Sequence, residues 1–96
     1  MNVSEMEIGG ARLKRARLGC HLTFRDVERL SRAIGEQYGD DRYIVRISML
    51  SRIENHAAIP NIFHLHSLCA IYSVEMRKVL RWYGLPDERS RKSAAT

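Results

Sequence analysis

The sequence predicts an all-α fold, a compact bundle of about five short helices, and three observations carry the helical reading. No stretch alternates polar and apolar residues long enough for a convincing strand, while several show the i, i+3, i+4, i+7 spacing of a helix with one buried face. The only prolines, Pro60 and Pro86, fall at the edges of these periodic runs rather than inside them. A chain of 96 residues has material for one hydrophobic core and not two.

Residues 1–7 read as an N-terminal arm. From Ile8 to Leu18 the run IGGARLKRARL sets Leu13 and Ala16 on one side and Arg12, Lys14, Arg15 and Arg17 around the rest, a first helix with a basic face that Gly19 ends. Thr23 opens a second helix, with Asp26 three residues on in a capping-box arrangement and Val27, Leu30, Ser31 and Ile34 sharing a face. That helix is expected to fade between Gly35 and Gly39, and Gly35 to Val45 reads as a loop. Within it, Arg42-Tyr-Ile-Val-Arg-Ile47 suits either an extended piece or the lead into another helix.

A third helix fits Ile47 to Asn55, where Leu50 and Ile53 can bury while Ser48, Ser51 and Arg52 point outward. Pro60 then stands just before or at the start of a fourth helix, whose stripe is Ile62, Leu65, Leu68, Cys69 and Tyr72. A fifth begins near Glu75, buries Met76, Val79, Leu80 and Tyr83, and stops at Gly84-Leu-Pro86. The domain thus spans residues 8–85. Residues 86–96 lack apolar periodicity and read as a disordered tail or a linker, consistent with a further C-terminal domain in a longer protein.

The 45% apolar and 28% charged fractions are those of an ordinary globular chain, and no apolar run approaches the roughly 18 to 20 residues that cross a bilayer. Met1 to Glu7 has neither a basic start nor an apolar stretch, so a cytoplasmic location is expected. Sixteen Lys and Arg against eleven Asp and Glu give a formal charge of +5, weighted towards Arg, whose fork suits phosphate and guanine. Cys20 and Cys69 are too few for a disulfide framework and read as small core fillers.

Catalytic chemistry finds no support in the chain. It has no glycine-rich phosphate loop and no Cys-His-Asp constellation, and its paired carboxylates, Asp40 and Asp41, read as a solvated turn. His64 and His66 stand two apart on a helix, about 200° around its axis, and so cannot share a metal ion. No enzyme, cofactor or metal is expected.

The second helix, a break and the short run Ile47-Ser-Met-Leu-Ser-Arg-Ile-Glu-Asn55 form an arrangement in which one helix rests across a phosphate backbone while the next enters the major groove. From about Ile8 to Gly84 the chain resembles the lambda repressor and Cro-like helix-turn-helix family, the XRE family of bacterial transcription regulators. The likeness is carried by RLKRARLGCHLTFRDVERLS, by LSRIENHAAIP and by IFHLHSLCAIYSV, and Leu50-Ser-Arg-Ile-Glu-Asn55 before Pro60 is its most specific piece. Three departures stand out. A segment around Glu36 to Tyr43 is inserted between the second and third helices. Arg46 holds the usual Ser or Thr cap position, with Ser48 able to cap a helix that starts two residues later. His56 replaces the usual glycine, which calls for a left-handed backbone or a different exit from the helix.

The resemblance implies sequence-specific binding of double-stranded DNA, by a homodimer on a two-fold operator, to regulate transcription. Ile47, Ser48, Ser51 and Arg52 would face bases in the major groove, Arg52 with two bonds to a guanine and Ile47 against a thymine methyl. Phosphate contacts would come from Thr23, Phe24 and Arg25 at the start of the second helix, and from Arg46, Asn55 and His56. Arg15, Arg17 and Arg42 are secondary candidates. Glu54 is expected to hold an ion pair or hydrogen bonds inside the turn. Trp82 or Tyr83 would pack in the core or form part of a dimer face. The alternative is a protein-interaction module of the same fold, antitoxin-like or docking another partner, with Tyr38, Tyr43, Ile44 and Val45 exposed beside the recognition helix.

Overall fold

The computed structural model describes residues 4–86. It contains five α-helices, Glu5–Gly19 (α1), Phe24–Tyr38 (α2), Ile47–Asn55 (α3), Ile62–Tyr72 (α4) and Met76–Trp82 (α5), a 3-10 turn at Asp41–Tyr43, and no strand among the described residues. The fold is the all-α bundle that the periodicity predicts. All of the expected tail beyond Pro86 lies outside the described residues.

Helix α1 begins ahead of the expected start at Ile8, because the Ser4 hydroxyl accepts from the Glu7 amide at 3.2 Å and Glu5 and Glu7 meet the positive end of the helix dipole. Four-residue spacing then puts Gly9, Leu13 and Arg17 on one buried face, with Gly10 beside them. A Cβ on Gly10 would run into the Ile53 carbonyl of α3, and one on Gly9 into the Tyr83 ring, so the two glycines let neighbouring elements approach the α1 backbone.

The capping box of α2 forms in full: the Thr23 hydroxyl accepts from the Asp26 amide at 3.1 Å and the Asp26 carboxylate from the Thr23 amide at 2.9 Å. The helix ends inside the expected window of Gly35 to Gly39, but the loop expected from Gly35 starts only after Tyr38. Gly35 is buried within the helix, against Asp40 and Ile44, and α2 runs on to Tyr38 before Gly39 ends it with a left-handed backbone at φ 62°.

The inserted segment is therefore helix, then 3-10 turn, then an extended stretch through Ile44 that packs inward. Ile44 and Val45, expected to form an exposed apolar loop, are buried at 8% and 0% exposure. Two buried serines satisfy the backbone there, since Ser31 Oγ accepts from the Val45 amide at 2.8 Å and the Ser67 hydroxyl donates to the Tyr43 carbonyl. Neither serine is a polar intruder in an apolar core.

Helix α3 starts at Ile47, so the later start capped by Ser48 is not the one adopted. Arg46 is its N-cap but gives no side-chain bond, and Glu28 Oε2 of α2 accepts from the Ile47 amide at 2.9 Å instead. At the other end His56 stays at φ −129°, and the left-handed position is Ala57 at φ 57°. Asn61 caps α4 by accepting from the His64 amide at 2.8 Å, which leaves Pro60 just outside the helix.

Leu13, Val27, Val45, Leu50, Ile53, Leu68 and Val79 form the centre of the core, each exposed by 1% or less. Burial of such side chains contributes about 1.5 to 3 kcal/mol apiece. Tyr72 and Tyr83 close its edge. Cys69 is half-buried against the core, whereas Cys20 is exposed and not the core filler expected of it, because it falls just beyond the last turn of α1. Ile62, expected in the buried stripe of α4, is 69% exposed.

Candidate nucleic-acid interface

Helix α3 is held from behind and open in front. Leu50, Ile53 and Glu54 are its buried residues, while Ile47, Ser48, Arg52 and Asn55 are exposed on the opposite side and Ser51 is half-buried between the two. Positions 48, 52 and 55 follow i, i+4, i+7, so they share one stripe, and 47 and 51 flank it. Arg46 and His56, at the two ends of the helix, are exposed as well.

Two fixed contacts set the position of this stripe. The first is the Glu28 bond to the start of α3. The second is an ion pair between Arg17 of α1 and Glu54 near the end of α3, with Nε to Oε2 at 2.9 Å and Nη2 to Oε1 at 3.0 Å. Their side chains are 9% and 0% exposed. Arg17 Nη1 also donates to the Leu22 carbonyl at 2.8 Å, and its guanidinium lies over the Phe24 ring, 4.5 Å from the centroid. Donation to the Glu54 carboxylate raises the Arg17 pKa above its ordinary value, against the opposing effect of burial. Glu54 thus does the internal work expected of it, while Arg17, suggested as a phosphate contact, has its fork taken up by Glu54 and the Leu22 carbonyl and only 9% of its side chain exposed, at the edge of a concavity beside α2.

Thr23, Phe24, Arg25 and Ile47 line one concavity, together with His21 and Leu22, where the start of α2 meets the start of α3. The Phe24 side chain packs under Arg17, so its backbone amide is the group that a ligand can use. Among the described residues the Phe24 and Arg25 amides have no acceptor, as the first turn of a helix requires. The Asp26 carboxylate, held below the usual carboxylate range chiefly by the Thr23 amide and then by its hydroxyl, stays charged and offsets part of this positive end.

Arg46, Ser48 and Arg52 line a second concavity on the other side of α3. There they meet Arg42 from the inserted segment and Asn61 and His64 from α4. Asn61 and His64 escaped sequence reasoning as neighbours of this surface because only the packing of α4 brings them there, although Asn61 after Pro60 carries a readable cap signal. Burial lowers the His64 pKa, so the ring is neutral at neutral pH. His66 turns away from it and meets the Tyr38 and Tyr43 rings at 5.7 and 5.2 Å between centroids.

The other candidates sit elsewhere. Arg15 lines a depression with Tyr72, Lys78 and Trp82, away from the residues of α3. Tyr83 is 7% exposed and belongs to the core, and Trp82 is half-buried against it. Among the described residues no group of three His, Cys, Asp or Glu side chains is placed to hold a metal ion. Nor is any described helix long and apolar enough to cross a membrane. No family model matches the chain, and no curated protein or solved structure matches it in the comparisons made.

Proposed function

We propose that this protein binds double-stranded DNA sequence-specifically and regulates transcription, in the manner of the lambda repressor and Cro-like regulators that its sequence resembles. The observation that carries the reading is α3 itself: a nine-residue helix locked to α1 and α2 through Glu54 and Glu28, presenting a stripe of Ser48, Arg52 and Asn55 to solvent. A rigid helix with an outward polar and cationic face is what direct readout in the major groove demands. Arg52 is the guanine reader, Ser48 and Ser51 are further polar readers, and Ile47 meets a thymine methyl. Arg25 and Arg46 anchor phosphates from the two sides, with help from the Phe24 amide, Thr23, Asn55 and His56. Nothing in this role calls for a cofactor.

A homodimer on a palindromic operator is the expected assembly. The interaction-module alternative keeps only part of its motive, since Ile44 and Val45 are in the core while Tyr38 is 53% exposed and Tyr43 half-buried. Selection of bound duplexes from a random library at physiological salt tests the reading, because screening suppresses loose electrostatic binding there. Enrichment of a palindrome supports it, and enrichment of nothing overturns it. With an operator in hand, Arg52→Ala is expected to relax specificity at one base pair, at a cost of about 1 to 3 kcal/mol.

A further inference from the structure

Three arginines from separate parts of the chain line one concavity: Arg42 from the 3-10 turn, Arg46 at the N-cap of α3, and Arg52 one turn and a half further along that helix, with Ser48 beside them. Like charges gathered on one surface repel. Among the described residues neither Arg46 nor Arg52 has a carboxylate within ion-pair distance. Asp41, also on the lining, makes no ion pair there.

Arg42 is held differently from the other two. Its Nε donates to both oxygens of Asp40 at 3.0 and 3.1 Å and its Nη2 to one of them at 2.7 Å, while the guanidinium carbon lies 4.1 Å from the centroid of the Phe63 ring. One edge and one face of the fork are thereby occupied, and Nη1 is left without a partner among the described residues. Asp40 is itself fixed by accepting from the Arg42 amide at 2.9 Å. An exposed arginine ordinarily samples many rotamers, and holding it on two sides removes in advance the entropy cost of using it.

We propose that this concavity is an oxyanion subsite that takes one backbone phosphate of duplex DNA, with Arg42 the positioning residue that the inserted segment supplies. The proposal rests on the DNA-binding reading above. A phosphate fits because its oxygens accept from the open edges of several guanidinium forks and from the Ser48 hydroxyl at once. It also fits the location. Ser48 and Arg52 belong both to the concavity and to the outward stripe of α3, so an anion seated there lies inside the footprint of a ligand on that helix. The insertion between α2 and α3 then widens the interface rather than merely lengthening the connection.

The test measures affinity of the full chain for a duplex recovered by selection, as a function of salt, together with thermal unfolding of each variant. Arg42→Ala is expected to weaken binding by a similar factor on all sequence variants of the duplex and to reduce the salt slope by up to about 0.9 per protomer, twice that for a dimer on a palindrome. Arg42→Lys, which keeps the charge and loses the fork, is expected to retain the slope while binding more weakly than the parent. Asp40→Asn decides between a positioned contact and bare charge. Positioning predicts weaker binding when the tether is lost, whereas electrostatics alone predicts tighter binding when a carboxylate is removed. A parent that binds DNA while Arg42→Ala matches it in affinity and slope, or an Asp40→Asn variant that binds more tightly, overturns the subsite and leaves the DNA reading standing. A parent that binds no duplex overturns both.

Discussion

Arg17 and Glu54 show how much a single pair of residues can decide. Glu54 is legible as an internal partner because, near the end of a helix proposed to meet DNA, an acid would repel phosphate if it faced outward. Arg17 was not legible, since it sits among Arg12, Lys14 and Arg15 and looks like one more cation on a basic face. The signal that separates it is spacing: Arg17 follows Leu13 by four and so shares its buried side. Removing one member of a buried, doubly bonded pair strands the other, and Glu54→Ala is expected to cost about 3 to 5 kcal/mol in urea unfolding. Replacing both with apolar residues, as in Arg17→Met with Glu54→Leu, is expected to recover most of that loss. If the double variant is as unstable as the single one, the pair has a role beyond compensating its own burial. The buried phenols make a second case. Burial pushes the Tyr83 hydroxyl up to about 12 from 10.0 and raises Tyr72 as well, and neither hydroxyl has a partner among the described residues. The unfolded chain releases these protons near pH 10, so it binds fewer protons than the folded state between about pH 10 and 12. Their contribution to stability is therefore complete below pH 10 and is lost as pH rises through that window. Tyr83→Phe, which has no proton to lose, is expected to show a shallower fall in urea midpoint across it.

At the scale of elements, α3, α4 and α5 lie where their periodicity puts them, because each is short, has an apolar stripe and is bounded by a recognisable stop. The errors fall where a local signal was overridden by packing. Gly35 reads as a helix breaker, yet a glycine inside a helix costs only about 1 kcal/mol, and here its missing side chain lets Ile44 and the Asp40 carbonyl close onto α2. The segment before α3 combines its two open readings, since Arg42 and Tyr43 belong to the 3-10 turn, Ile44 and Arg46 are extended and Ile47 starts α3, an arrangement that brings Ile44 and Val45 into the core. Gly10 permits a test whose sign separates local from tertiary effects. Gly→Ala in an ordinary helix is stabilising by roughly 0.5 to 1 kcal/mol. At Gly10 the added Cβ meets the Ile53 backbone, which cannot rotate away, so Gly10→Ala is expected to lower the thermal midpoint and loosen α3 against α1. Gly19, with open space around its Cα, is the matched control at the end of the same helix.

For the whole molecule, the formal charge of +5 is less informative than where the arginines end up. Arg17 is spent inside the core, and Arg29, Arg32, Arg42 and Arg77 each have a carboxylate within ion-pair distance. Of the exposed arginines without an ion pair among the described residues, Arg25, Arg46 and Arg52 lie on the surface formed by the start of α2 and the face of α3, and Arg12, Arg15 and Arg81 lie on α1 and α5. Composition could not reveal that sorting, because it depends on which helix faces which. It leads to a quantitative expectation for DNA binding. Counterion release gives a slope of about −0.9 in log K against log salt for each phosphate neutralised by a Lys or Arg. Arg52 reads a base in this scheme and the neutral contacts Thr23 and Asn55 release no ions, so Arg25 at one phosphate and Arg42 with Arg46 at another supply about two such contacts per protomer. A dimer gripping both halves of a palindrome is then expected to show a slope near −4, and a protomer on one half-site a slope near −2. The measurement is a salt titration of affinity on the selected duplex and on a duplex carrying a single half-site. Slopes that differ about twofold between the two duplexes would establish two-fold binding through the same α3 face. Equal slopes would mean that one protomer does the binding, and a slope near zero would mean that whatever α3 recognises is not held by its phosphates.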